Sequence, residues 1–505
     1  MMDHCLLKNG GTMGKIITFN DLKNIRLQFK NKKIGLCHGA FDVLHNGHLA
    51  HFHEASNQVD ILIVSITADK FIFKGPSQPY NNENNRVKFL SYINVIDYIY
   101  LDKNITAEKA IKQLKPNIYF KGKDYIEKDI TGNLKKELNI LKKNKGKIFL
   151  TKTQLLSSTK IINNYYKPFG EDVEKFLKTI SNKNTYNEIS KSFEKLKKAT
   201  FNIIGEPIID KYIHCEMAGL TTKDPAVSTL VSKNEIIPGG VLAVAKILAR
   251  FVKRVNLYTY GKNKDIKKYF SNEKNVNIFN FDKDQELQTK TRYINATRYE
   301  KLLQVTNLKK NKFSKNTSDR ISKKVNSIKN NLIICDFGLG LFENNILKNI
   351  EKLKIKKFLN VQTNSINYGQ NLYTKYKKFD YLSLDEREWE LALGKTDLSN
   401  IGKILRLNNN KNLSCSLTKG KNGSIYLWGN QKKMSPVFIE KTIDTTGCGD
   451  AYFALTSIMI ASGLNKNFIP FVGNAYAGMH SQFFGNKKIT DKSTFLKYIK
   501  SLLNR

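Results

Sequence analysis

The chain is poor in three things that would each point to a different class of protein. Cysteine occurs six times in 505 residues, at Cys5, Cys37, Cys215, Cys335, Cys415 and Cys448. No two form a C-x-x-C pair, so a zinc knuckle and a dithiol redox motif are both excluded, and a reducing cytoplasm is the expected compartment. No apolar run approaches the roughly 20 residues needed to cross a bilayer, and Met1 to Lys15 lack the apolar centre of a signal peptide; no membrane partner is expected. Acidic residues are scarce, with Asp and Glu totalling 44 against 84 Lys and Arg. That balance suits nucleic acid, an anionic surface or phosphate-bearing small molecules. The excess is mostly Lys spread along the chain beside Asn and Ile, not Arg and aromatics gathered on one element. It therefore reads as a solvated basic surface, and nucleic acid is not expected as a partner.

What is present is enough for more than one core. The length exceeds the roughly 100–200 residues of a typical domain, and the hydrophobic fraction is 41%. From Lys33 short apolar runs at 33–38, 60–66, 97–101, 117–121 and 147–150 alternate with helical patterns, the rhythm of a parallel sheet covered by helices. Between about Pro168 and Thr200 the chain becomes polar and rich in Lys, Asn and Ser. A second alternation then begins, with strands expected near 201–205, 255–259, 331–335, 357–361, 380–383 and 413–417, and a mostly helical end. The Lys/Asn-rich stretch 308–330 reads as a solvated helix or loop. The expected organisation is a first domain over 1–167, a connection over 168–198 and a second domain over 199–505.

Five of the eight histidines, His38, His45, His48, His51 and His53, fall within Cys37–His53. Zinc is one reading of such density, but there is no H-E-x-x-H pattern and no Cys or carboxylate at ligand spacing. The order Gly39-Ala40-Phe41-Asp42-Val43-Leu44-His45-Asn46-Gly47-His48 instead puts a turn at a strand end and His-x-Gly-His at the start of a helix. Free N–H groups and the positive end of the helix dipole favour an anion there. Two imidazoles can donate to charge developing on an α-phosphate. His38, His51 and His53 read as packing or surface residues.

This stretch resembles the G-x-F-D-x-x-H-x-G-H signature of the cytidylyltransferase-like nucleotidyltransferases. The resemblance runs over about residues 30–165, through Lys74-Gly75-Pro76, Arg86, Lys121-Gly122-Lys123-Asp124-Tyr125 and Ser157-Ser158-Thr159. It implies a Rossmann-like α/β domain in which Gly39, Phe41, His45, His48, Ser158 and Thr159 contact a nucleoside triphosphate and Lys74 contacts phosphate. The Ser/Thr cluster also reads as a plain helix cap.

Near the other end stands Asp444-Thr445-Thr446-Gly447-Cys448-Gly449-Asp450, ahead of a long apolar helical pattern. Two glycines permit a tight turn whose N–H groups hold a phosphoryl group at a helix start. Asp450 supplies a carboxylate able to take a proton from a hydroxyl. Cys448 has no base nearby in sequence to make it a nucleophile. Asp444 reads as a turn residue and Asp336 as a strand-end cap. The segment resembles the D-T-x-G-A-G-D motif of the ribokinase (PfkB) family, with Cys448 in place of alanine.

That resemblance covers about residue 199 to the end and implies a ribokinase-like α/β fold and an ATP-dependent carbohydrate kinase. It implies further that Asp210, in Gly205-Glu206-Pro207-Ile208-Ile209-Asp210, grips sugar hydroxyls beside Gly239 and Gly240, and that Lys290 and Arg292 are basic residues of the sugar or phosphate side. Asp336-Phe337-Gly338-Leu339-Gly340 matches the strand end before the active site, and Lys419, Gly420 and Gly423 the ATP side, with Gly447, Cys448 and Gly449 around the phosphate. Where many members carry Asn-x-x-Glu for the water shell of Mg2+, Ser383-Leu384-Asp385-Glu386 keeps Glu386 and lacks the asparagine; Val241-Leu242-Ala243 likewise lacks an asparagine found after the double glycine.

Together the two halves resemble bifunctional heptose-phosphate kinase/nucleotidyltransferases with the domain order reversed. The implied partners are Mg2+ with ATP, a second nucleoside triphosphate and a sugar or sugar phosphate, with a homodimer as an open assembly. The alternatives are a polyol- or alcohol-phosphate cytidylyltransferase whose kinase domain is regulatory or acts on another substrate, and a nucleic-acid-binding protein.

Overall fold

The structure is a computed structural model that describes residues 13–72, 79–122, 132–152, 169–307, 309–364, 366–394, 413–439 and 442–504. It divides into two compact units, residues 1–170 together with 493–505, and residues 171–492.

The first unit runs β1 (Lys15–Ile17), α1 (Phe19–Gln28), β2 (Ile34–Gly39), α2 (Asn46–Ser56), β3 (Ile61–Thr67), α3 (Glu83–Ser91), β4 (Tyr98–Asp102), α4 (Glu108–Leu114), β5 (Ile118–Gly122), α5 (Asn133–Lys143) and β6 (Lys147–Thr151). The strands pair in the order β1-β4-β3-β2-β5-β6, all parallel. Covering a parallel sheet on both faces demands strands that are mainly apolar, as in Ile61–Thr67, where Ser65 is buried among aliphatic residues and only the last residue reaches solvent. The order reverses direction at β2. In open α/β sheets that reversal leaves a crevice beyond the carboxyl ends of the strands, and β2 ends at Gly39.

The second unit begins with α6 (Glu171–Ile180) and α7 (Lys183–Leu196). The polar stretch after residue 168 is thus largely two amphipathic helices, which bury Leu177, Ile180, Ile189 and Phe193 while Glu171, Lys175, Lys178, Lys191, Glu194 and Lys195 face water. There follow β7 (Thr200–Gly205), β8 (Pro207–Leu220), β9 (Val227–Gly240), α8 (Val241–Ala249), β10 (Arg254–Thr259), α9 (Asn263–Tyr269), β11 (Val276–Asn280), β12 (Gln288–Asn295), β13 (Lys301–Asn307), α10 (Lys315–Asn326), β14 (Leu332–Asp336), α11 (Asn344–Lys352), β15 (Lys357–Val361), β16 (Tyr381–Asp385), α12 (Glu386–Leu393), β17 (Ser414–Thr418), β18 (Ser424–Trp428), β19 (Gln431–Ser435), α13 (Cys448–Ser462), α14 (Ile469–His480) and α15 (Lys492–Leu503), the last of these lying almost wholly in the segment grouped with the first unit. The large sheet is ordered β11-β10-β7-β14-β15-β16-β17-β18-β19, parallel as far as β17. Its order reverses at β7, so Glu206 and Asp210 leave from a second crevice.

A separate sheet, β13-β12-β8-β9, had no counterpart in the sequence expectations. Its roots are buried at Asp210 and Gly239, whereas its far half exposes Met217, Leu220, Val227, Leu230 and Val231. The stretch 308–330 contains α10, which buries Ile321 and Val325 and exposes its lysines. Among the described residues no helix is long and apolar enough to cross a membrane.

Candidate functional site

In the first unit the turn after β2 is drawn tight. Phe41 sits at φ 47°, a left-handed conformation that a bulky residue adopts only where its surroundings force it. Its ring packs on Phe52 at 5.0 Å and edge-on to His48 at 5.5 Å. Asp42 is buried and accepts from the backbone N–H groups of Tyr80 and Asn81 at 2.7 and 2.8 Å. Arg86 is fully buried beneath the turn, where it donates to the carbonyls of Ala40, Thr67 and Asn81 and pairs with Asp69. It is a strut for the strand ends.

His45 is the N-cap of α2 and its side chain makes no capping bond; the His48 N–H turns back to the His45 carbonyl at 2.8 Å, while those of Asn46 and Gly47 have no backbone acceptor among the described residues and stay available for an anion. The rings of His45 and His48 stack at 3.9 Å. Burial lowers the His45 pKa below the ordinary imidazole value, so the ring is neutral near pH 7, and its Nδ1 is buried without a hydrogen-bond partner among the described residues. The other imidazoles stand apart. His51 is buried and bonded to Thr151 at 2.8 Å, its pKa pushed down to about 4 by burial and by the nearby Lys121. His38 contacts Ser65 at 3.0 Å, and His53 is exposed. Lys74, Ser158 and Thr159 lie outside the described residues, as do Lys123, Asp124 and Tyr125.

In the second unit α13 opens at Gly447, in the left-handed region at φ 81°, where a Cβ would meet Asn486 Oδ1 at 2.7 Å. Only a glycine fits that corner without strain. Within the turn the Cys448 N–H bonds back to Thr445, while among the described residues those of Gly447, Gly449 and Asp450 have no backbone acceptor. Burial raises the Cys448 thiol to about 12, which leaves it inert as a nucleophile.

Asp450 is 8% exposed and accepts from Gln362 Nε2 at 2.6 Å. Burial, with Asp210 as a like charge, pushes its pKa up to about 7 against the opposing pull of Gln362 and Lys290. Asp210 and Lys290 come from the small sheet. Lys290 on β12 stands in register with Asp210 on β8, and Arg292 pairs with Asp210 at 2.6 Å. Gly239 lies against the same carboxylate, with space so short that a Cβ would fall 2.3 Å from Asp210 Oδ2. Gly240 follows as the N-cap of α8. The structure therefore brings Asp210, Gly239, Lys290, Arg292 and Asp450 into one electrostatic neighbourhood.

Glu386 is placed elsewhere than the sequence suggested. Its side chain is 42% exposed and paired with Lys419 at 3.0 Å, on the turn that carries Gly420 and Gly423. The carboxylate that feels Asp450 is Glu388, raised to about 8 by burial, Asp385 and Asp450. Asp385 and Glu388 cap α12 reciprocally, each accepting from the other's backbone N–H. Read in this register the motif is Asp385-x-x-Glu388, with aspartate in the asparagine position. Two further acids missed in the sequence reading, or underrated there, are structural. Glu206 is fully buried and accepts from the N–H groups of Phe337 and Leu341 at 2.8 and 2.9 Å, its pKa raised by burial and by Asp336. Asp336 accepts from Tyr376 at 2.6 Å and Gly338 at 2.9 Å and pairs with Lys375, so it does hold a strand end.

A family model described as pfkB family carbohydrate kinase matches residues 204–483, more than half of the chain. The chain belongs to the pfkB family. A second model, cytidylyltransferase-like, matches residues 36–164, so the pfkB domain follows a nucleotidyltransferase-like one. Both matched families are transferases, and the chain is an enzyme of that class. Among curated proteins, it is 34% identical over 146 residues to the bifunctional protein HldE of Aliarcobacter butzleri and 36% identical over 124 residues to that of Helicobacter acinonychis. These matches cover 28% and 24% of this chain, in its N-terminal part, and 31% and 27% of the relatives' length. Thus the chain spans less than a third of the curated relatives it matches. The crystal structure of Escherichia coli phosphofructokinase-2 in complex with potassium superposes over all of its own length and 61% of this chain, at a TM-score of 0.50 and 12% identity, which establishes the shared fold.

Proposed function

We propose that the chain makes a nucleotide-activated, heptose-like sugar for surface polysaccharide synthesis in the cytoplasm, in two consecutive steps. The kinase, within 199–505, phosphorylates a hydroxyl of a sugar phosphate; the nucleotidyltransferase, within 1–167, joins the product to a second nucleoside triphosphate; residues 168–198 connect them.

The observation that carries this reading is the position of Asp450. It is a buried carboxylate at the N-terminus of a long helix, beside a glycine turn with open N–H groups and facing Asp210, Lys290 and Arg292. Asp450 takes the hydroxyl proton as the sugar oxygen attacks the γ-phosphorus of ATP and ADP leaves. The Gly447–Gly449 turn and the helix dipole bear the charge on the phosphoryl oxygens. Asp210, braced by Gly239 and Gly240, orients hydroxyls. Lys290 and Arg292 supply positive charge for an acceptor that already carries phosphate.

Burial, together with the charges of Asp385 and Asp450, raises the proton affinity of Glu388, and these three carboxylates are donors suited to a hydrated Mg2+. Among the described residues no three His, Cys, Asp or Glu are grouped as direct metal ligands. When bound with ATP, Mg2+ neutralises charge on the phosphates. In the Asp385-x-x-Glu388 register a carboxylate stands where the asparagine would, which supports an active kinase over a regulatory domain.

In the second step an oxygen of the new phosphate attacks the α-phosphorus of the second triphosphate and pyrophosphate leaves. That oxygen is already ionised, so His45 and His48 serve as donors to the α-phosphate, and no general base is required. The resemblance adds Lys74, Ser158 and Thr159 as triphosphate contacts. For assembly, the apolar far half of the small sheet supports a homodimer, since a patch of that character on a soluble protein marks an interface.

The test is to incubate the full chain with ATP, CTP and GTP separately together with a panel of sugar phosphates, heptose phosphates included. Mass spectrometry should find a bisphosphorylated sugar, a nucleotide sugar and pyrophosphate. Pyrophosphate release with a polyol phosphate and none with any sugar phosphate would instead favour the polyol-phosphate alternative.

A further inference from the structure

The phosphate turn is tied to the small sheet by a charge that no motif announces. Lys301 opens β13, and its ammonium reaches Asp444 Oδ1 at 2.7 Å and Thr446 Oγ1 at 2.9 Å. Asp444 is 3% exposed. It accepts also from the Thr446 N–H and hydroxyl at 3.0 and 2.9 Å, from Tyr212 at 3.1 Å and from the Gly485 N–H at 3.0 Å. Lys301 is the only full positive charge in that shell among the described residues. A buried carboxylate is costly unless a cation faces it. Burial would raise the Asp444 pKa, yet the Lys301 contact and the Thr446 bonds keep it below the ordinary aspartate value. Thr446 and Gly447 are consecutive, so what fixes Thr446 fixes the corner from which the Gly447, Gly449 and Asp450 N–H groups point.

We propose that Lys301 is a positioning residue, a counter-cation built into the chain that holds the Asp444–Gly449 turn in its phosphate-binding shape. Two features distinguish this from an ordinary surface pair, which contributes little. The carboxylate is buried and fully bonded, and the ammonium bridges two residues of the turn. Lys301 also comes from the sheet that carries Asp210 and Lys290, so the acceptor side and the phosphate side of the site share one charged strut. The proposal rests on the reading of the turn as the cradle for the transferring phosphoryl group.

The test uses the full chain and two probes of known chemistry, β,γ-methylene-ATP and ADP, titrated with Mg2+ by calorimetry. The wild-type protein should bind the triphosphate more tightly than ADP, because only the triphosphate fills the cradle. In Lys301→Ala that preference should shrink on the order of tenfold, the loss of one charge-assisted bond, with ADP affinity unchanged. Ethylammonium chloride should restore the preference in Lys301→Ala, whereas sodium chloride at matched concentration should not; the wild type should ignore both. Lys301→Arg should behave as wild type. If Lys301→Ala melts well below the wild type, Lys301→Gln gives the same comparison with the chain length kept. An unaltered preference in the folded variants, or a rescue that sodium reproduces, overturns the proposal. A wild type that does not distinguish the two probes overturns the cradle reading itself, and with it this inference.

Discussion

Gln362 offers Asp450 a hydrogen it can only donate. Its Nε2 lies 2.6 Å from Asp450 Oδ1 and 3.0 Å from Asn360 Oδ1, and the Asn360 amide in turn donates to the Ser383 carbonyl at 2.9 Å. A carbonyl only accepts, so the direction of the whole chain is fixed. Asp450 Oδ1 is kept as an acceptor, and the second oxygen is left for the substrate proton.

Kinase turnover should therefore rise with pH through about 7, the value to which burial pushes Asp450. The sign follows from the base having to be ionised. Gln362→Met removes a bond that favours the ionised form, so the rising limb should move to higher pH in a kcat/KM profile. Asp450→Asn should abolish phosphorylation. Because the wild-type pKa is raised on folding, Asp450 costs stability as pH climbs from the ordinary aspartate range through about 7, and Asp450→Asn should raise Tm at pH 8 more than at pH 5.

Glu388→Gln should raise the Mg2+ concentration needed for half-maximal ATP consumption, whereas Glu386→Gln, which loses only a half-exposed pair with Lys419, should leave it nearly unchanged. A Mg2+ titration of both variants decides which carboxylate serves the ion.

His45→Ala and His48→Ala should each lower pyrophosphate release on the order of a hundredfold or more, the range for removing a donor to developing charge. ADP production by the kinase should persist in both. Following the two products in one reaction separates the sites.

Gly239→Ala puts a methyl group 2.3 Å from Asp210 Oδ2. The carboxylate must move, at about 1–3 kcal/mol for such overpacking, and the acceptor KM should rise more than the KM for ATP.

The parallel sheets were legible because strands buried on both faces are mainly apolar. Runs expected at 60–66 and 331–335 appear as Ile61–Thr67 and Leu332–Asp336. The small sheet was not. The far halves of β8 and β9 are wet on both sides, so Glu216 and Met217 on one strand and Leu230, Val231 and Lys233 on the other are exposed with no inward and outward alternation to read. Reading of the sequence could name candidate chemistry at strand ends where it came as a compact motif, as with His45 and His48 or Gly447 to Asp450. It failed at Glu386 and Glu388, two acids a short step apart at a helix start, where only the capping geometry determines which one turns inward. Lys301 and Gln362 were out of reach because their partners lie 143 and 88 residues away in sequence.

The strand Pro207–Leu220 places Asp210 near its root and Met217 and Leu220 near its tip. A pull or twist delivered at the tip travels along that strand, across the shifts of register at His214–Cys215 and Met217–Gly219, to the carboxylate proposed to grip the sugar. For the proposed homodimer, occupancy of the outer end and grip on the acceptor are two ends of the same lever, so diluting the protein until the copies part should loosen the hold on the sugar before it touches the hold on ATP.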